Sequence, residues 1–240
     1  MAPQTLETDK QTHLQYLSQA LDLARLSPPK PTNFRVGCVI VSYPKTTSTD
    51  PLATPSLSSD STEAHAQKGR VLSTGYTLEF EGNTHAEQCA LSKLAQHHGT
   101  DEAHLHGLDA LSARQNVTLY TTLEPCGLRL SGNKPCVERI IDTRRTGCGI
   151  RRVIFGAREP GTFVKDSKSL ARLDEAGVPW EFVPDLQDEI LNVAKEGHTK
   201  TTGTATDTQG QKKAIDDISS EERRRQEQLP RNPKKRMMEV

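Results

Sequence analysis

Short runs of β-branched and aliphatic residues alternate along this chain with stretches whose apolar residues recur at helical spacing, and that alternation limits the folds open to it. Val36-Gly37-Cys38-Val39-Ile40-Val41 reads as a buried strand, and Val71 to Tyr76, Val117 to Thr122, Arg152 to Gly156 and Trp180 to Val183 read as further strands. Leu14, Leu17, Leu21 and Ala24 mark an amphipathic helix that cannot continue through Pro28-Pro29. Thr84 suits the cap of a helix beginning near His85, with Glu87 in the capping-box position and Ala86, Cys89, Ala90 and Leu94 inward. Pro135 opens another helix through Ile141, at a position where its missing N–H is harmless. Leu170, Leu173 and Ala176 predict a helix closed by Gly177, and Ile190, Leu191 and Ala194 a last one ending at Gly197. Strands alternating with helices predict an α/β protein, a three-layer αβα sandwich with helices on both faces of the sheet.

Two stretches do not share this pattern. Residues 43–69 are largely Ser, Thr, Pro and Asp and read as a flexible surface insert between strands. Residues 198–240 are polar, charged and without periodicity, and read as a disordered tail after a folded domain over 1–197. A composition only 33% hydrophobic and 4% aromatic agrees with a chain part of which enters no core. Basic and acidic residues balance at 31 each, so no global field favours nucleic acid. Arg223-Arg224-Arg225 and Lys234-Lys235-Arg236 are interleaved with Asp216, Asp217, Glu221 and Glu222 and read as a solvated tail. No apolar run approaches the roughly 18 residues of a membrane span. The opening MAPQTLETDK lacks a leader pattern and the five cysteines are odd in number, so a cytoplasmic protein with reduced thiols is expected, a nuclear location being left open.

The chemistry concentrates in three pieces: His85-Ala86-Glu87, Glu124-Pro125-Cys126 and Pro135-Cys136. One imidazole and two thiolates make a sound ligand set for Zn²⁺, and a catalytic zinc keeps three protein ligands with its fourth place open to water. His85 and Cys136 both fall at predicted helix starts, where the helix dipole favours negative charge. Glu87 lies close enough to exchange a proton with that water without binding the metal. A structural zinc with Cys89 as fourth ligand is the alternative, since Cys89 stands four residues after His85 on the same helix face. Cys38 reads as a core residue and Cys148 as a loop thiol.

This pattern resembles the cytidine-deaminase superfamily, whose nucleobase members carry a His-x-Glu and Pro-Cys signature. The resemblance implies a cytidine-deaminase-type sandwich, Zn²⁺ as cofactor, His85, Cys126 and Cys136 as its ligands and Glu87 as proton shuttle. Nine residues, Gly127 to Pro135, separate Cys126 from Cys136, where cytidine, deoxycytidylate and tRNA-adenosine deaminases generally show two. The run TTLEPCGLRLSGNKPCVERII, with HAEQCAL and EPGTFV, is similar to the fungal riboflavin-biosynthesis pyrimidine deaminases. That likeness implies deamination of 2,5-diamino-6-ribitylamino-4(3H)-pyrimidinone 5′-phosphate to 5-amino-6-ribitylaminouracil 5′-phosphate. The alternative is a tRNA-editing or nucleotide (cytidine or dCMP) deaminase. Asn33 matches a base-contacting position, although Asn33-Phe34-Arg35 stands where bacterial relatives have Asn-Pro. Arg129 and Lys134 are expected to meet phosphate or ribityl groups, with Ser131 and Asn133 as further hydrogen-bonding residues, while Arg139 reads as a surface residue. The partner expected is a small phosphorylated pyrimidine, with no nucleic acid and no membrane; the family also forms homodimers.

Overall fold

The computed structural model describes residues 4–44, 69–112, 114–129, 131–145, 149–160 and 168–198. Its strands are β1 (Gly37–Pro44), β2 (Arg70–Tyr76), β3 (Gln115–Leu123), β4 (Arg152–Ala157) and β5 (Trp180–Phe182). Its α-helices are α1 (Gln4–Ala24), α2 (Ala86–His97), α3 (Cys136–Asp142), α4 (Ser169–Glu175) and α5 (Gln187–Ala194). The strands form one sheet in the order β2-β1-β3-β4-β5. β1 is antiparallel to both β2 and β3, whereas β3, β4 and β5 run parallel. The parallel part follows from the crossover helices, because parallel neighbours need a long connection between them.

Both faces of the sheet are covered. Cys38, Ile40, Leu119 and Val153 point into a core with Ala90, Leu94, Val137, Ile140 and Leu173 of α2, α3 and α4. Val39, Val41, Tyr120 and Ile154 face the other way, onto Tyr16, Leu17 and Ala20 of α1. α5 closes the same side through Ile190, Val193 and Ala194. The three-layer αβα sandwich expected from the alternating runs is therefore the fold. The two-faced burial explains why β1 reads as a continuous apolar run.

Two glycines set how closely helices approach the sheet. A Cβ on Gly37 would lie 1.8 Å from the Ala20 carbonyl oxygen of α1. One on Gly75 of β2 would lie 2.3 Å from the Ala86 oxygen and 2.5 Å from the Ala90 nitrogen. Gly75 thus lets the first turn of α2, with His85 and Glu87, lie directly on the sheet.

Several expectations need correction. Thr84 does not cap α2: the cap position is His85, and the Thr84 hydroxyl donates to the Phe80 oxygen at 3.2 Å. The insert expected at 43–69 starts later, because β1 pairs as far as Pro44 with Gln115, and β2 already begins at Arg70. The rest of that insert, Cys148 and the tail from 199 onward lie outside the described residues. His198, the first residue of the expected tail, has its ring against Phe34 and its Nε2 3.0 Å from the Asn33 oxygen. The polar connection after α2 holds two short 3-10 turns, Glu102–Gly107 and Asp109–Leu111, which bury Leu105 and Leu111.

Candidate active site

The site lies where β3 ends and α2 and α3 begin. His85 takes an extended backbone at the cap of α2, and its carbonyl accepts the Cys89 N–H at 2.9 Å. Cys126 stands three residues beyond the end of β3, and Cys136 is the first residue of α3. The chain between them folds back on itself: the Val137 N–H donates to the Cys126 oxygen at 3.2 Å. The backbone N–H of Cys136 also reaches the Cys126 sulfur at 3.4 Å.

His85 Nδ1 lies 3.5 Å from Cys126 Sγ and 3.4 Å from Cys136 Sγ. Tetrahedral zinc with ordinary Zn–N and Zn–S bonds separates such donors by about 3.6 Å. The three side chains therefore fit one zinc ion in both donor chemistry and spacing, and they form the cluster able to hold a metal among the described residues. Cys89 is no part of that cluster; it is buried on the inner stripe of α2. The four-ligand structural site thus loses its fourth ligand.

Glu87 sits in the first turn of α2, buried, beside the cluster. Thr121 of β3 donates to its Oε1 at 3.3 Å and the Cys136 thiol to its Oε2 at 3.3 Å. Burial pushes the Glu87 carboxyl above the usual range, the charge on Cys126 adds to this, and His85 opposes it. A hydrogen bond from Cys136 holds the Cys126 thiol well below its ordinary range, so the first thiolate of the pair forms there.

The remaining expected residues are placed as follows. Asn33 is buried and donates through Nδ2 to Asn83 Oδ1 at 2.7 Å, while its own Oδ1 accepts from Thr32 at 2.7 Å. Arg129 is buried, donating to Gln88 Oε1 at 3.1 Å and to the Asn83 oxygen at 2.5 Å. Asn33 and Arg129 therefore meet at Asn83, two residues before His85. Lys134 pairs with Asp142 of α3 at 2.5 Å. Ser131 Oγ accepts from the Asn133 N–H at 3.4 Å. Arg139 is not a surface residue: it is buried, forks onto both Glu102 oxygens at 2.7 and 2.6 Å, and holds the Lys134 oxygen at 3.2 Å. It ties the end of the inter-cysteine loop to the 3-10 turn after α2. The sequence motif contains Glu124 but gives it no role of its own; it accepts from Ser169 and from Arg158 and so anchors the strand end before Cys126. Its place directly before Pro125-Cys126 was the available signal.

Comparison with known proteins agrees with this geometry. Residues 64–157 match the family model of the cytidine and deoxycytidylate deaminase zinc-binding region. The diaminohydroxyphosphoribosylamino-pyrimidine deaminase of Schizosaccharomyces pombe is 30% identical over 186 residues, covering 78% of this chain and 36% of that protein. The chain thus spans about a third of the length of that relative. The crystal structure of Aspergillus oryzae Rib2 deaminase in complex with DARIPP is 42% identical, with a TM-score of 0.65, over 78% of this chain and 92% of that one. A bifunctional deaminase/reductase from Thermotoga maritima shares the fold at 20% identity and a TM-score of 0.52, over 78% of this chain and 40% of that one. The paired cysteines, the His85 cap and the likeness along most of the Aspergillus chain converge: this chain belongs to the cytidine-deaminase superfamily, in its fungal riboflavin-biosynthesis pyrimidine-deaminase branch.

Proposed function

We propose that this chain is a zinc-dependent hydrolytic deaminase that converts 2,5-diamino-6-ribitylamino-4(3H)-pyrimidinone 5′-phosphate to 5-amino-6-ribitylaminouracil 5′-phosphate in riboflavin biosynthesis. The observation that carries the proposal is the joining of His85, Cys126 and Cys136 beside a buried Glu87, on a chain similar to a Rib2 deaminase solved with DARIPP. Zinc held by His85, Cys126 and Cys136 supplies the Lewis acidity that makes water nucleophilic near neutral pH. Glu87 accepts a proton from the attacking water and returns it to the departing 2-amino nitrogen. One C–O bond forms, one C–N bond breaks and ammonia leaves. The elevated proton affinity of Glu87 suits a group that must hold a proton between those steps. Thr121 fixes the orientation of its carboxyl.

In this reading Asn33 contacts the base, and Arg129, Ser131 and Lys134 contact the phosphate or ribityl chain. Arg129 and Lys134 already have protein partners, so a phosphate would share Arg129 with Gln88 and compete with Asp142 for Lys134. Ammonia release measured against the ribitylamino pyrimidinone phosphate, cytidine, dCMP and tRNA tests the proposal. Turnover of the pyrimidinone phosphate well above the other three is expected. Turnover of cytidine, dCMP or tRNA without the pyrimidinone would sink it.

A further inference from the structure

Closing a loop costs more entropy as the loop lengthens, so the nine residues between Cys126 and Cys136 call for anchors outside the loop itself. Near its start the anchor is Arg129, through Gln88 and the Asn83 oxygen. Near its end the anchor is Arg139 of α3. The Arg139 backbone N–H donates to the Pro135 oxygen at 3.2 Å, and its Nε donates to the Lys134 oxygen at 3.2 Å. One residue thus holds both carbonyls that precede Cys136.

The guanidinium is in turn held by Glu102. Arg139 Nη1 donates to both carboxylate oxygens, at 2.7 and 2.6 Å, and the arginine side chain is only 4% exposed. Charge-assisted hydrogen bonds of this kind are short and strong. Glu102 opens the first 3-10 turn after α2 and also accepts from Ser92 Oγ of α2 at 3.4 Å. A line of polar contacts therefore runs from α2 through Glu102 and Arg139 to the peptide of Lys134. A lysine could not take this place, because its ammonium is a point charge, whereas the planar guanidinium serves Glu102 and the Lys134 oxygen at once.

What the brace acts on follows from the bonds it does not make. Cys136 is fixed to Cys126 without the Arg139 side chain: the Val137 N–H reaches the Cys126 oxygen at 3.2 Å and the Cys136 N–H the Cys126 sulfur at 3.4 Å. Removing the guanidinium leaves those two bonds and the backbone bond to Pro135 in place. It releases the Lys134 carbonyl, and with it the part of the loop that carries Ser131, Asn133 and Lys134. The brace thus serves what the loop presents, and the metal ligands keep their own support.

We propose that Arg139, clamped by Glu102, is a positioning residue for substrate binding that holds the inter-cysteine loop where its polar side chains meet the ligand. The identity of that ligand, a phosphorylated ribityl chain on a pyrimidine ring, rests on the functional reading above.

The test uses the full-length zinc-loaded protein, steady-state ammonia release and amide hydrogen exchange. Arg139→Lys keeps a positive charge beside Glu102 and gives up the bond to the Lys134 oxygen. It should raise KM for the pyrimidinone phosphate about three- to tenfold, the size of one lost hydrogen bond, with kcat changed less. Zinc content should be unchanged, and amides of residues 127–134 should exchange faster while those of β3 and α2 do not. Glu102→Ala should raise KM in the same way, and Glu102→Gln, whose side-chain oxygen still accepts from Nη1, should recover most of the loss. Arg139→Lys combined with Glu102→Ala should be no worse than the more affected single variant, because both act through one contact. A role in stability alone would lower the thermal midpoint and the active fraction and leave KM where it was, so unchanged KM in Arg139→Lys overturns the proposal. Loss of zinc also overturns it, since the brace would then act on the metal cluster. Should Arg139→Lys not fold, Glu102→Ala, at a partly exposed position, decides on the same KM criterion. Failure of the functional reading is distinct, because wild type would then be inactive on the pyrimidinone. The KM comparison would then be made with the ring that wild type does turn over, and would decide in the same way.

Discussion

Replacing Glu87 by Gln separates proton transfer from everything else the residue does. The side chain is buried, with one oxygen accepting from Thr121 at 3.3 Å and the other from Cys136 at 3.3 Å. Gln has the same length, and its side-chain oxygen can still accept from Thr121, so the packing of α2 on β3 should survive. What disappears is the ability to take a proton from water and deliver it to the amine. Positioned acid–base groups contribute roughly 10²–10⁴-fold, equivalent to about 3–5 kcal/mol of barrier at 1.36 kcal/mol per decade. Turnover should therefore fall by two to four decades, roughly, while zinc per chain and thermal midpoint stay near wild type. The assay is ammonia release under saturating substrate, with elemental analysis of the same preparation. Loss of zinc would show Glu87 to be a ligand, and a drop of less than tenfold would show that the proton travels another way; either result refutes the assignment.

Cys126→Ser should lose most of its zinc by elemental analysis, because a serine hydroxyl in this position is a far weaker ligand than a thiolate. Gly75→Ala should lower the thermal midpoint by the equivalent of about 1–3 kcal/mol and weaken zinc retention, since the new methyl meets the α2 backbone at 2.3 Å rather than a side chain that can move. Arg129→Ala should reduce kcat/KM about ten- to a hundredfold for the phosphorylated substrate and less for its dephosphorylated form; equal losses on both would point to a purely positioning role through Asn83 and Gln88. Deleting residues 199–240 should leave zinc content and turnover unchanged, and a large loss of turnover would place that segment at the site.

The layers of the fold were legible because burial on two faces writes a strong signal. β1 reads as an apolar run since side chains on both of its faces are excluded from water, and α1 carried its stripe at helical spacing. The metal cluster was legible for a related reason: imidazole and thiolate are the few side chains that make a zinc site, and each lay at a strand end or helix start. Strand order was not legible, since nothing local in β1 says that it lies antiparallel between β2 and β3. The Thr84 cap failed because capping statistics compete with tertiary demand. Having His85 at the cap aims its ring at two sulfurs, and that geometry overrides a hydroxyl cap of about 1 kcal/mol.

The polar residues around the cluster were hardest to read, and the physical reason bears on what they do. A cation's role depends on which acceptor it reaches, and acceptors here come from distant parts of the chain: Arg139 is fixed by Glu102, and Arg129 by Asn83 and Gln88. Arg129 and Arg139 share the same type and the same loop neighbourhood, yet one braces the loop's end against a 3-10 turn while the other leans on the segment that carries His85. The same reasoning separates two glutamates. Glu124 is matched by Ser169 and Arg158, and Glu87 by Thr121 and Cys136. The first therefore anchors the strand end that leads to Cys126, and the second keeps its carboxyl beside the metal cluster.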